Sequence, residues 1–262
     1  MPETHVTKAE LGRPRSAAEF AQWVNKKCQE IGETEEGRQA YRNRRGLLKE
    51  FVTEALPLAT VCNRYFGLSE DVTITHLVGN QNHDALVEDR RQTPAGLEYL
   101  EVTAASESQD SAYRMRVLNA EKTVSLTAPI KVIKDRKAGT ETINVGESVA
   151  VEHGAYRQKV LDDILAVAEK KSGKDYPDHT GLVIVFDPGP AFRDAQDLEI
   201  LEDFVKNSVL PAVGNFTRVF ISGGMDGPFL SYAIQPTGDN YDRCVIGKVL
   251  RKIARYFPSR CR

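Results

Sequence analysis

The run Asp84-Ala85-Leu86-Val87-Glu88, then the turn Thr93-Pro94-Ala95-Gly96, then Leu97-Glu98-Tyr99-Leu100-Glu101-Val102-Thr103, decides how this chain is read. Both flanking runs are short, rich in branched and aromatic side chains, and bounded by turn residues, which predicts two strands. With residues 72–78 ahead of them they form an antiparallel meander, with Asp84 on its second strand and Glu101 on its third. Two carboxylates on successive strands can share a cation. A hard divalent ion such as Mg²⁺ takes oxygen ligands and is usually held by one or two carboxylates plus waters and phosphate oxygens. Phosphodiester hydrolysis is therefore the first chemistry these residues suggest.

Upstream of the meander, residues 16–29 carry Phe20, Trp23, Val24 and Cys28 at helical spacing, with Ser16 and Glu19 placed as a capping box. Residues 33–45 are highly charged around a single large apolar body, Tyr41, and read as an exposed helix or a connection. From Gly46 a mostly apolar helix follows through Leu47, Leu48, Phe51, Leu58, Val61, Cys62 and Tyr65. Pro57 either kinks it or begins its second half, and Gly67 ends it. Downstream, residues 124–151 suggest an inserted hairpin turning at 136–140. Residues 156–171 are again helical, and 181–186 form a continuous apolar run suited to a strand buried on both faces. A helix over 198–213 and a strand over 217–222 follow. The expected order is helix, three strands, helix, strand, helix, strand, in an α/β class with a mixed sheet.

With 262 residues, 41% apolar and 27% charged, the chain suits one large domain, 1–262. It divides into an N-terminal helical extension (1–45), a core (46–222) and a C-terminal segment (223–262). A net charge of −2 gives no global attraction to polyanions, so any such site is a local patch. The four cysteines, Cys28, Cys62, Cys244 and Cys261, lack zinc-like spacing and read as reduced thiols. Nothing resembles a secretory signal or a membrane span, so a cytoplasmic protein without membrane contact is expected.

The helix, the meander carrying Asp84 and Glu101, the crossover helix and the apolar strand together resemble the core of the PD-(D/E)xK nuclease superfamily, the restriction-endonuclease-like fold. The resemblance covers about residues 46–222, and its motif is short. It implies that Asp84 and Glu101 hold Mg²⁺ or Mn²⁺, assisted by a carboxylate of the preceding helix, Glu54 by preference or Glu50. It also implies metal-assisted attack of water on a phosphodiester. The superfamily's lysine, two residues after the Glu, is here Thr103. Some members recruit a lysine from elsewhere, and Lys159 on the crossover helix, beside Gln158, is the best-placed substitute, with Lys122 behind it. Two functions follow. One is a metal-dependent nuclease acting on nucleic acid, DNA in the first instance, which the retained carboxylates favour. The other is an inert nuclease-like fold that binds nucleic acid or protein, which Thr103 favours; a homodimer or protein partner suits either.

Blander readings exist for the same residues. Alternation of Leu100 and Val102 with Glu101 and Thr103 is what any half-buried strand shows, and an Asp beside a turn is routine. His83, next to Asp84, is expected to point to the opposite face. Backbone phosphate contacts are assigned to Arg44, Arg45 and Lys49, and to Lys248, Arg251, Lys252 and Arg255 on a C-terminal helix over 241–257. A solvated basic face is the commoner explanation of the latter. Asp187, in Asp187-Pro188-Gly189-Pro190, and the run 222–227 read first as turns. There is no Gly-x-Ser-x-Gly elbow and no early GxGxxG.

Overall fold

The computed structural model describes residues 5–79, 81–105, 109–121, 123–124, 128–135, 140–189 and 191–234. Its strands are β1 (Arg15–Ser16), β2 (Val72–His76), β3 (Ala85–Asp89), β4 (Tyr99–Ala104), β5 (Ile130–Asp135), β6 (Thr140–Val145), β7 (Thr180–Val185), β8 (Arg218–Ser222) and β9 (Phe229–Ala233). Seven of them form one mixed sheet in the order β1-β2-β3-β4-β7-β8-β9, and β5 pairs with β6 in a separate antiparallel hairpin. The meander β2-β3-β4 is antiparallel as expected, β4, β7 and β8 run parallel, and β9 turns back antiparallel to β8.

Parallel neighbours need a crossover. The helix His153–Ser172 supplies it between β4 and β7, and a helical stretch over 195–212 does so between β7 and β8. Both pack on one face, where Leu161, Ile164, Leu182, Ile184, Leu201, Val219, Ile221 and Tyr232 form a core. The opposite face carries the helix Ala17–Glu33 and the helix 48–64, with Phe20, Val24, Phe51, Leu58, Val72, Ile74, Leu100, Val102, Val183 and Phe220. Alternate residues of β7 enter the two cores, as its unbroken apolar sequence requires. Gly181 lets the sheet close there, since a Cβ would lie 2.9 Å from Leu100 Cδ2.

The helix 48–64 is not α-helical throughout. Phe51–Ala55 is a π segment in which the N–H of Leu56 bonds the carbonyl of Phe51. Pro57 then opens the α-helical half, Leu56–Arg64. Proline has no N–H to offer the carbonyl four residues back and its ring crowds that carbonyl, so a wider turn just before it relieves the conflict. The same pairing recurs at Val205–Val209 ahead of Pro211.

Several boundaries differ from expectation. The capping box at Ser16 and Glu19 forms, but the helix runs on to Glu33, and β1 with this helix joins the sheet and its core rather than standing apart as an extension. Beyond residue 222 the chain adds β9, whose residues are buried on both faces and so show no alternation. The helix Gln109–Glu121 has only Val117 buried among its described side chains, too little for a legible apolar stripe. The expected C-terminal helix over 241–257 lies outside the described residues. Among the described residues, no helix is long and apolar enough to cross a membrane.

Candidate functional site

The site begins where two strands part. β2 and β3 pair over five positions, yet β3 and β4 pair only at Ala85↔Leu100 and Leu86↔Tyr99. Beyond that point β4 continues against β7 alone, with Glu101 opposite Leu182 and Val102 opposite Val183. A buried backbone N–H left without a partner is costly, and the Asp84 carboxylate fills the opening: Val102 N donates to Asp84 Oδ2 at 2.7 Å. The main chain of Asp84 holds its own place through Asp84 N to Leu100 O and Leu77 N to Asp84 O, both 2.8 Å. Burial, and then the negative charges of Glu101 and Glu54, push the Asp84 carboxyl up to about 7, against the opposing pull of the Val102 amide and the Lys171 ammonium.

Glu101 faces the crossover-helix layer, opposite to Leu100 and Val102, and is buried. Lys171 Nζ donates to Glu101 Oε1, and Tyr176 Oη donates to the same oxygen at 3.3 Å. Among the described residues no protein group takes Oε2, which leaves one lobe of the carboxylate available. Burial and the Glu101 charge hold the Tyr176 hydroxyl well above the ordinary tyrosine range, so it stays a donor. Its ring packs on Phe216, with centroids 4.8 Å apart, and fixes the loop that follows the crossover helix.

On the other face His76 and Glu54 meet. His76 is the third inward position of β2 after Val72 and Ile74, fully buried, and its Nε2 lies 2.8 Å from Glu54 Oε2 on the π segment. Among the described residues the His76 Nδ1 is buried without a partner. His83 does not turn away from the site. Its ring packs on Tyr99 at 4.5 Å, and the Glu101 charge partly offsets the burial that lowers its proton affinity.

Among the expected residues, Asp84, Glu101 and Thr103 come together, with Thr103 half-buried two positions along β4 from Glu101. Glu54 raises the proton affinity of Asp84 through its charge. Glu50 buries its Oε2 with no partner among the described residues. Lys159 and Gln158 are not at the site: Lys159 Nζ pairs with Asp163 Oδ2 at 2.7 Å, Gln158 bonds Asp162, and both are exposed near the start of the crossover helix. Lys171 lies twelve residues further along that helix, about 18 Å of rise. The end of a crossover helix lies beside the start of the next strand, where Glu101 is. Lys171 also continues the buried stripe Leu161, Ile164, Ala168, a periodic signal that could have identified it. In the basic segment, Arg45 and Lys49 are exposed, and Arg44 is half-buried at a positive φ of 49°. Lys122, Lys248, Arg251, Lys252 and Arg255 lie outside the described residues.

The donor set consists of hard oxygens. One carboxylate keeps its proton to near neutrality through burial and adjacent negative charge, and a divalent cation would relieve that charge. Asp84 and Glu101 are the residues here that could hold a hard divalent cation. The expected third carboxylate ligand is not formed. Glu54 turns one oxygen to His76, and among the described residues no three His, Cys, Asp or Glu side chains group so as to hold a metal ion. No protein-family model matches the chain, nor does any curated protein or solved structure.

Proposed function

We propose that the protein is a divalent-metal-dependent phosphodiesterase acting on nucleic acid, DNA in the first instance, with a divergent restriction-endonuclease-like core. The order of elements supports the architecture: a helix, three antiparallel strands, a crossover helix and a strand parallel to the third. The observation that carries the function is the ammonium of Lys171 on Glu101, beside Asp84. The proposed reaction needs a positive charge next to the paired carboxylates, and Thr103 cannot supply one.

In this reading Asp84 and Glu101 would hold the cation. When bound, it supplies Lewis-acid activation of water and neutralises charge developing on the phosphate. Lys171 is positioned to bind a phosphate oxygen or the attacking water, and its charge favours the anionic transition state. Tyr176 keeps Glu101 oriented, and Asp84 is anchored at one oxygen by Val102 N–H, while among the described residues the other oxygen has no partner. In this reading Lys171 supplies the charge that Thr103 lacks, which favours the enzyme over an inert binder.

Nicking of supercoiled plasmid in Mg²⁺ or Mn²⁺ tests the proposal. Asp84→Asn, Glu101→Gln and Lys171→Met should each reduce cleavage at least ~100-fold, the scale on which electrostatic contributions are lost. Lys159→Ala should cleave like the wild type. Lys171→Met combined with Thr103→Lys, which returns the charge to the same face of β4, should recover part of the loss. Activity untouched by Asp84→Asn and Glu101→Gln would sink the assignment.

A further inference from the structure

We infer that His76 is a positioning residue that holds Glu54 in place as a charged outer group of the cation site, an inference that rests on the metal-dependent reading above. The ring is fully buried and makes one polar contact among the described residues, Nε2 to Glu54 Oε2 at 2.8 Å. Because Nδ1 has no partner among the described residues, the ring proton belongs on Nε2, where an acceptor waits. A buried histidine with a single bonded nitrogen has its purpose at that bond.

Glu54 needs such a tether. It sits in the π segment, where the helix is widened, and its side chain is 23% exposed, so its carboxylate has room to swing outward. His76 stands opposite Ala85, the neighbour of Asp84, Leu77 N donates to Asp84 O at 2.8 Å, and the π segment packs against β4, so Glu54 held by His76 lies beside the opening between β3 and β4. Its second oxygen has no partner among the described residues. A carboxylate held there favours a divalent cation at the opening. Partners of this outer kind typically change metal affinity by about 10- to 100-fold.

The test is Mn²⁺ binding to the full chain, followed by calorimetry and by electron paramagnetic resonance of free Mn²⁺, with folding checked by circular dichroism. His76→Phe removes the donor and should weaken Mn²⁺ binding about 10-fold. His76→Gln, whose amide nitrogen reaches the position of Nε2, should return it to within about threefold of the wild type. Glu54→Gln should weaken binding as much as His76→Phe, and the double variant no more than either alone. Losses that multiply in the double variant, or wild-type affinity in His76→Phe, overturn the inference while leaving the cation site standing. If His76→Phe does not fold, Glu54→Gln decides alone, and unchanged affinity there overturns it. Absence of saturable Mn²⁺ binding to the wild type overturns both this inference and the reading beneath it.

Discussion

Asp84→Asn should make the protein more stable at alkaline pH while destroying the proposed activity. In the folded chain the Asp84 carboxyl keeps its proton up to about 7, against an ordinary value of 3.8. The unfolded chain releases that proton near the ordinary value, so between the two the unfolded state binds fewer protons and folding stability falls as pH rises. A shift of this size corresponds to about 4 kcal/mol once pH exceeds both values, taken as a ceiling. Asparagine keeps an oxygen to accept from Val102 N and removes the charge. A gain of about 1 to 3 kcal/mol at pH 8 is the expected yield, or some ~2 to 10 °C in melting temperature for a chain of this size. Urea titrations at pH 4, 6 and 8 check it. The wild type should lose stability across that range, beyond what Asp84→Asn loses, and Mg²⁺ should restore stability to the wild type alone. Parallel pH curves for the two proteins, or an asparagine variant less stable at pH 8, would refute the reasoning.

Other perturbations have equally definite outcomes. Lys171→Met leaves Glu101 buried without its cationic partner and should cost about 2 to 4 kcal/mol in denaturant titrations. Lys159→Ala removes only an exposed pair with Asp163 and should shift stability by less than about 0.5 kcal/mol. Asp197 lies in the first turn of the helix Ala195–Phe204; the backbone N–H of Arg193, with Arg157 and His153, holds its carboxyl below the ordinary range. Its contribution is present above the unfolded value and lost as pH falls through the folded one. Asp197→Asn should therefore lower the melting temperature at pH 7, with the gap closing toward pH 3.

The two carboxylates were legible because they stand on strands with turn chemistry between them, close together in the sequence. The meander, the crossover helix and the doubly buried strand were legible for the same local reason. Lys171 was not, because its approach to Glu101 depends on which end of a 20-residue helix meets the start of β7. Lys159 lies near the opposite end of that helix, and the spacing of the buried stripe Leu161, Ile164 and Ala168 leads on to Lys171. His76 occupies an inward position of β2, and a polar residue in a core register is the kind of exception that marks a partner across the layer. Tyr176 comes from a loop, which carries no periodicity. Strand β9 and the short β1 escaped notice because tertiary pairing, not local pattern, defines them.

The widened turn at Phe51–Ala55 makes the site depend on a count. Each residue of an α-helix turns the chain by about 100°. The wide turn holds one residue more than an ordinary turn would, so deleting one residue between Phe51 and Pro57 would close it and leave the positions within it one side chain short. Phe51 would leave its core position, or Glu54 would leave His76. Side chains in that turn can be exchanged one for another without altering its register, but its length cannot change. Insertions and deletions, rather than substitutions, are the changes that this helix cannot absorb.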